Sequence, residues 1–143
     1  RHSSFNAIRI AKEFVKFNER CFVKLLGDMR AYNFVIDLTP DFDQVQYRIR
    51  GIDFDQQCYE GSKKLYLPQF FKENQPYVDL CVKYLTRENV LQDRREERAL
   101  IANRMKLSAE QLGETSCIKN IVRIKLSTDL LECRQRWIHR LHF

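Results

Sequence analysis

No apolar run in the sequence approaches the roughly 20 residues that a membrane-spanning helix needs; stretches such as Ala99 to Ala102 fall far short. No membrane partner is therefore expected. Glycine is scarce, and Gly27, Gly51, Gly61 and Gly113 are so far apart that no Gly-rich loop can wrap a nucleotide phosphate. No C-x-x-C pair occurs among Cys21, Cys58, Cys81, Cys117 and Cys133, and their odd number argues against a disulfide framework. They read as buried thiols of a reducing, cytoplasmic compartment. Structural zinc needs about four close ligands, whereas His139 and His142 supply two near a terminus. An apolar signal region and an initiator Met are also lacking before Arg1-His2-Ser3-Ser4, so the chain is expected to be a piece of a longer one.

What is present is the composition of a folded protein: 143 residues, 44% hydrophobic and 31% charged. That length suits a single domain spanning residues 1–143. The net charge of +6 suggests contact with anions. The charge is unevenly spread. Asp37, Asp41, Asp43, Asp53, Asp55 and Glu60 outnumber Arg48 and Arg50 in one stretch of an otherwise basic chain, which points to a cation site.

Along the chain, Ser3 or Ser4 is expected to cap a helix to about Arg20, with Phe5, Ile8, Ala11 and Val15 on its apolar face. The short apolar stretch Cys21 to Leu26 leads into a loop, Gly27-Asp28-Met29-Arg30-Ala31-Tyr32-Asn33. Phe34 to Ile36 and Tyr47 to Ile52 are rich in strand formers, and Thr39-Pro40-Asp41 between them has turn chemistry, so a β-hairpin is predicted. Beyond it the pattern is helical. Pro68 opens a turn, Pro76 starts a helix with Val78, Val82 and Leu85 on one side, and Thr86 caps a long helix to about Lys106. Ser108 with Gln111 reads as a further capping box closed by Gly113, and helices are expected from Thr115 to Phe143. The fold class expected is α+β, mainly α.

The chemistry resides in two spaced signatures. The loop holds an Asp and an Asn five positions apart and exits into a strand; the returning strand ends in Gly51-Ile52-Asp53-Phe54-Asp55. Together they resemble the catalytic loop, roughly H-G-D-x-x-x-x-N, and the metal-binding Asp of protein-kinase-like phosphotransferases, especially the aminoglycoside and choline kinase branch. The resemblance covers about Phe5 to Phe54, with Leu26 in the place of the usual His. It implies the C-terminal lobe of a kinase-like fold, with the hairpin at its catalytic edge. Asp28 would accept the proton of a hydroxyl acceptor, and Arg30 would neutralise the transferred phosphoryl group. Asn33, Asp53 and Asp55 would hold the Mg²⁺ that bridges the phosphates of ATP. The nucleotide-gripping N-terminal lobe would have to come from elsewhere.

The mixed run Arg94-Arg95-Glu96-Glu97-Arg98 reads as a solvated face with local ion pairs. Lys119, Arg123, Lys125, Arg134, Arg136 and Arg140 make the C-terminal part basic. They support the alternative of a non-catalytic helical module binding nucleic acid or a protein partner. Acidic residues interleave with them, so nucleic acid is the less expected partner.

Overall fold

The structure, a computed structural model, describes residues 5–24, 26–42, 44–53 and 67–112. Among these residues it is mainly helical, with one two-stranded antiparallel sheet. Helix α1 spans Ala7–Lys24, strands β1 and β2 span Phe34–Asp41 and Gln44–Gly51, and helices α2 and α3 span Gln75–Tyr84 and Arg87–Leu112. Two single-turn 3₁₀ helices, Pro68–Phe70 and Lys72–Asn74, lead into α2. Residues 1–98 form one compact unit and residues 99–143 a second; the described part of the second is the distal half of α3.

Helix α1 begins where Asn6 Oδ1 accepts the Arg9 backbone N–H at 3.1 Å, an N-cap that satisfies one of the orphan donors of the first turn. Asn6 takes the capping role expected of Ser3 or Ser4, which lie outside the described residues. Phe5 therefore precedes the helix and is 70% exposed, and Ile8 is exposed too. The buried stripe is Ile10, Ala11, Phe14, Val15, Phe17 and Cys21, at the spacing of one wide helical face. Each large apolar side chain fully buried there contributes about 1.5–3 kcal/mol. Phe14 stacks on Tyr77 of α2 with ring centroids 5.2 Å apart. Phe34 meets both Phe17 and Tyr77, at 5.1 and 5.5 Å. The first residue of β1 is thus wedged against α1 and α2.

The predicted hairpin is present, in the register Phe34 opposite Gly51 and Asp41 opposite Gln44. Its reversal differs from expectation. Thr39, Pro40 and Asp41 continue β1, and the chain turns after Asp41 through Phe42, at a φ of 44° that is costly for a non-glycine residue. Ladder parity explains how a strand accepts Pro40. Ile52 N–H bonds Asn33 C=O at 2.9 Å, so the hydrogen-bonded pairs fall on alternate positions from Asn33, and Pro40 falls between them.

The outward edge of β2 is covered by side chains of α1. Ile49 N–H donates to Glu13 Oε1 at 3.0 Å, and Ile49 C=O accepts from Arg20 Nη2 at 3.0 Å. Arg9 Nη1 likewise donates to Val45 C=O at 2.9 Å.

Pro76 lies in the first turn of α2, as its missing N–H favours. The inward face of this helix is Tyr77 and Cys81; Val82, expected inside, is exposed. Thr86 and Asn89 cap α3 reciprocally, each accepting the other's backbone N–H at 3.3 Å. From there α3 runs without a break, so Ser108 and Gln111 belong to it and begin no separate element. Gly113 and the region expected to form C-terminal helices, from Thr115 to Phe143, lie outside the described residues.

The run Arg94 to Arg98 corrects its sequence reading. Glu97 is 2% exposed and accepts from Arg20 Nη1 at 3.1 Å, while Arg94 and Arg98 both donate to the buried Glu19 of α1. Arg20 also pairs with Glu13. Glu13, Glu19 and Glu97 are balanced by Arg20, Arg94 and Arg98, which is the condition for keeping charges out of water. Arg95 and Glu96 stay exposed, as the solvated-face reading expects.

Candidate functional site

The candidate site is the corner where the loop after α1 meets the open end of the hairpin. Leu26 and Met29 are buried and anchor the loop on either side of Asp28. Leu26 N–H bonds Cys21 C=O at 2.9 Å, which closes the end of α1. A tight turn follows, in which Asn33 N–H bonds Arg30 C=O at 2.8 Å.

Asn33 is buried, and its side-chain Nδ2 donates to the backbone carbonyl of Asp28 at 2.6 Å. The five-residue spacing of Asp28 and Asn33 is therefore the spacing of a closed loop. The same residue's C=O is bonded by Ile52 N–H, so Asp53 follows directly on the residue paired with Asn33. Asp53 is exposed. Asp55 lies outside the described residues.

Asp28 keeps 28% of its side-chain surface exposed, and its Oδ1 accepts from Arg30 Nε at 2.8 Å. Arg30 Nη1 reaches Glu73 Oε1 at 3.0 Å, and its guanidinium lies 5.0 Å from the centre of the Phe71 ring. The hydrogen bond to Asp28, with Tyr32 and Glu73 nearby, holds the Arg30 pKa above the usual guanidinium value. Arg30 is a fixed cation between two carboxylates.

Asp28, Arg30 and Asn33 are thus tied to one another by hydrogen bonds, and the hairpin returns the chain at Asp53 to the same corner. The sequence reading missed Phe71, Glu73 and Asn74, which come from the turns before α2. Asn74 Nδ2 donates to Met29 C=O at 2.8 Å and to Pro68 C=O at 2.7 Å. The contacts to Arg30 and Met29 join segments more than 40 residues apart, so no local pattern announces them.

Among the described residues no three His, Cys, Asp or Glu side chains gather as a metal-ligand group. The cation ligands expected here are the amide oxygen of Asn33 and the carboxylates of Asp53 and Asp55, the last outside the described residues. Comparison with protein-family models, with curated proteins and with solved structures finds no match to this chain.

Proposed function

We propose that this chain carries the catalytic and metal-binding half of a kinase-like phosphotransferase, which moves the γ-phosphate of ATP to a hydroxyl acceptor. The observation that supports it most is the double use of Asn33. Its amide nitrogen closes the Asp28 loop, and its carbonyl receives the strand that carries Asp53.

Each residue then has a separable task. Asp28 Oδ1 is held by Arg30, which leaves Oδ2 to take the acceptor hydroxyl's proton as its oxygen attacks the γ-phosphorus. The bond to the β–γ bridging oxygen breaks and ADP leaves. Arg30 Nη2 remains to meet the charge that spreads over the transferred phosphoryl oxygens. Asn33 Oδ1 and the Asp53 carboxylate are hard oxygen donors of the kind that suits Mg²⁺, and Asp55 would add a further one. A bound Mg²⁺ would neutralise phosphate charge and orient the γ-phosphate.

No Gly-rich phosphate loop stands in these 143 residues, so the grip on ATP is assigned to another segment or subunit. The test is transfer of label from γ-labelled ATP by the protein isolated in its native assembly. Asp28→Asn and Asp53→Asn are expected to lower the rate by at least about 100-fold each. Wild-type rates in both variants would refute the assignment.

A further inference from the structure

Asn74 occupies the N-cap position of α2, where a side-chain oxygen normally accepts a backbone N–H of the first turn, and it makes no such bond. Such a cap stabilises a helix start, and Asn74 gives it up. Its side chain is turned inward instead and is 0% exposed. Both of its bonds run through Nδ2, one to Met29 C=O in the Asp28 loop and one to Pro68 C=O in the preceding turn. Its Oδ1 is buried with no hydrogen-bond partner among the described residues. A carbonyl oxygen buried without a partner is destabilising, because it has given up its bonds to water. A residue that forgoes the cap and carries an unpaired oxygen is held there by its donors: two carbonyls from separate segments need one NH₂ between them.

Glu73, the neighbouring residue, reaches the same loop from outside through Arg30, with Phe71 beneath the guanidinium. The loop is therefore gripped at the Met29 backbone carbonyl by Asn74 and at the Arg30 side chain by Glu73. On the inner side, Asn18 Oδ1 accepts Gln69 N–H at 3.2 Å and so fixes the turn that does the gripping to α1.

We infer that Asn74 is a positioning residue of the candidate site, setting the Asp28–Asn33 loop through Met29 C=O so that Asn33 and Asp53 can share one cation. The inference rests on the phosphotransferase reading for what the loop is positioned to do. Its structural half, that Asn74 orders the loop, stands apart from it.

The test uses the ¹⁵N-labelled chain with Asn74→Asp, which keeps the shape and loses both donors, and Asn74→Ser, a smaller neutral change that keeps the fold if the first does not. Two signals are read. The first is amide exchange at Asn33, whose N–H closes the turn onto Arg30. It is expected to speed up at least about tenfold while amides in the middle of α1 stay unchanged. The second is Mn²⁺-induced broadening at Asn33 and Asp53. In the variants it is expected to need about 10- to 100-fold more Mn²⁺, the range seen when groups supporting metal ligands are removed. Exchange at Asn33 that is unchanged in both variants overturns the inference. Equal Mn²⁺ affinity in wild type and variants also overturns it and leaves the cation site standing. Faster exchange with no Mn²⁺ broadening even in wild type supports the positioning role and defeats the phosphotransferase reading alone.

Discussion

The ionic contacts between α1 and α3 and those around Asp28 are built from the same side-chain types in different surroundings. Glu19, Glu97 and Arg20 keep 6%, 3% and 9% of their side-chain surface in contact with solvent, whereas Asp28, Arg30 and Glu73 keep 28%, 38% and 39%. In the first cluster each carboxylate is answered by a guanidinium, and Arg20 further satisfies a backbone carbonyl of β2. Only its rim reaches solvent, at Arg98 with 30% of its side-chain surface exposed. In the second, one guanidinium serves two carboxylates, so the group carries net negative charge at a solvent-facing corner, where a cation or a hydroxyl proton can be received. The contrast separates a cluster closed by its own ion pairs from one left open to solvent.

The largest expected effect comes from breaking the buried cluster. Arg20→Met leaves Glu13 and Glu97 buried without their shared partner, and urea unfolding should show a loss of about 3–5 kcal/mol. A loss below about 1 kcal/mol would mean that water reaches these carboxylates and that the contrast is false.

Asp93 lies between the two cases. It is 5% exposed, with Lys16 Nζ at 3.7 Å from Oδ1 and Oδ2 unpaired among the described residues. Burial pushes its pKa above the ordinary 3.8, with Lys16 and Lys12 of α1 opposing the shift and Glu96 adding to it. Between the ordinary and the raised value, the folded chain keeps a proton that the unfolded chain has released. Its contribution to stability therefore falls as pH rises through that window. Asp93→Asn should be more stable than wild type at pH 7 by about 1 kcal/mol, and the gain should vanish below the ordinary pKa. Thermal unfolding across pH reads this out; a gain that persists at low pH would point to packing instead of charge.

The exposed cluster should barely register in stability. Glu73→Gln is expected to change unfolding free energy by less than about 1 kcal/mol. Its effect should appear at the loop instead, as altered Asp28 and Arg30 side-chain resonances. A large stability loss would class Arg30 and Glu73 with the structural pairs.

The smallest signal is expected from the thiols. Burial pushes Cys21 and Cys81 up to about 12, so alkylation of these positions at pH 8, followed by mass spectrometry, should be negligible until the chain is unfolded. Ready labelling of either would show that the α1–α2 core opens easily.

How much of this could be read in advance depended on the range of the interactions. The hairpin, the helix opened by Pro76 and the Thr86 cap were legible because strand alternation, a missing N–H and a hydroxyl before a helix act within a few residues. The loop from Gly27 to Asn33 was legible for the same reason: its closing bond spans five residues. The reversal after Asp41 was hidden because Thr39-Pro40-Asp41 has better turn chemistry than Phe42, and only ladder parity shows that Pro40 loses no bond in the strand. Arg94 to Arg98 misled because mixed signs at helical spacing look self-sufficient, while the partners that bury them stand on α1 more than 70 residues earlier. Asn74 went unread because the loop carbonyl that its side chain holds, Met29 C=O, stands 45 residues earlier.

Asn33 and Asp53 are proposed to hold one cation beside Asp28. Diffraction from crystals of the chain soaked in Mn²⁺ tests it most directly, since the anomalous signal locates the ion without assumptions about the loop. A peak is expected about 2.1 Å from both Asn33 Oδ1 and an Asp53 carboxylate oxygen, with Asp28 lining the same cleft. Mn²⁺ bound only elsewhere, or an Asp53 side chain on the opposite face of the hairpin from Asp28, would contradict it.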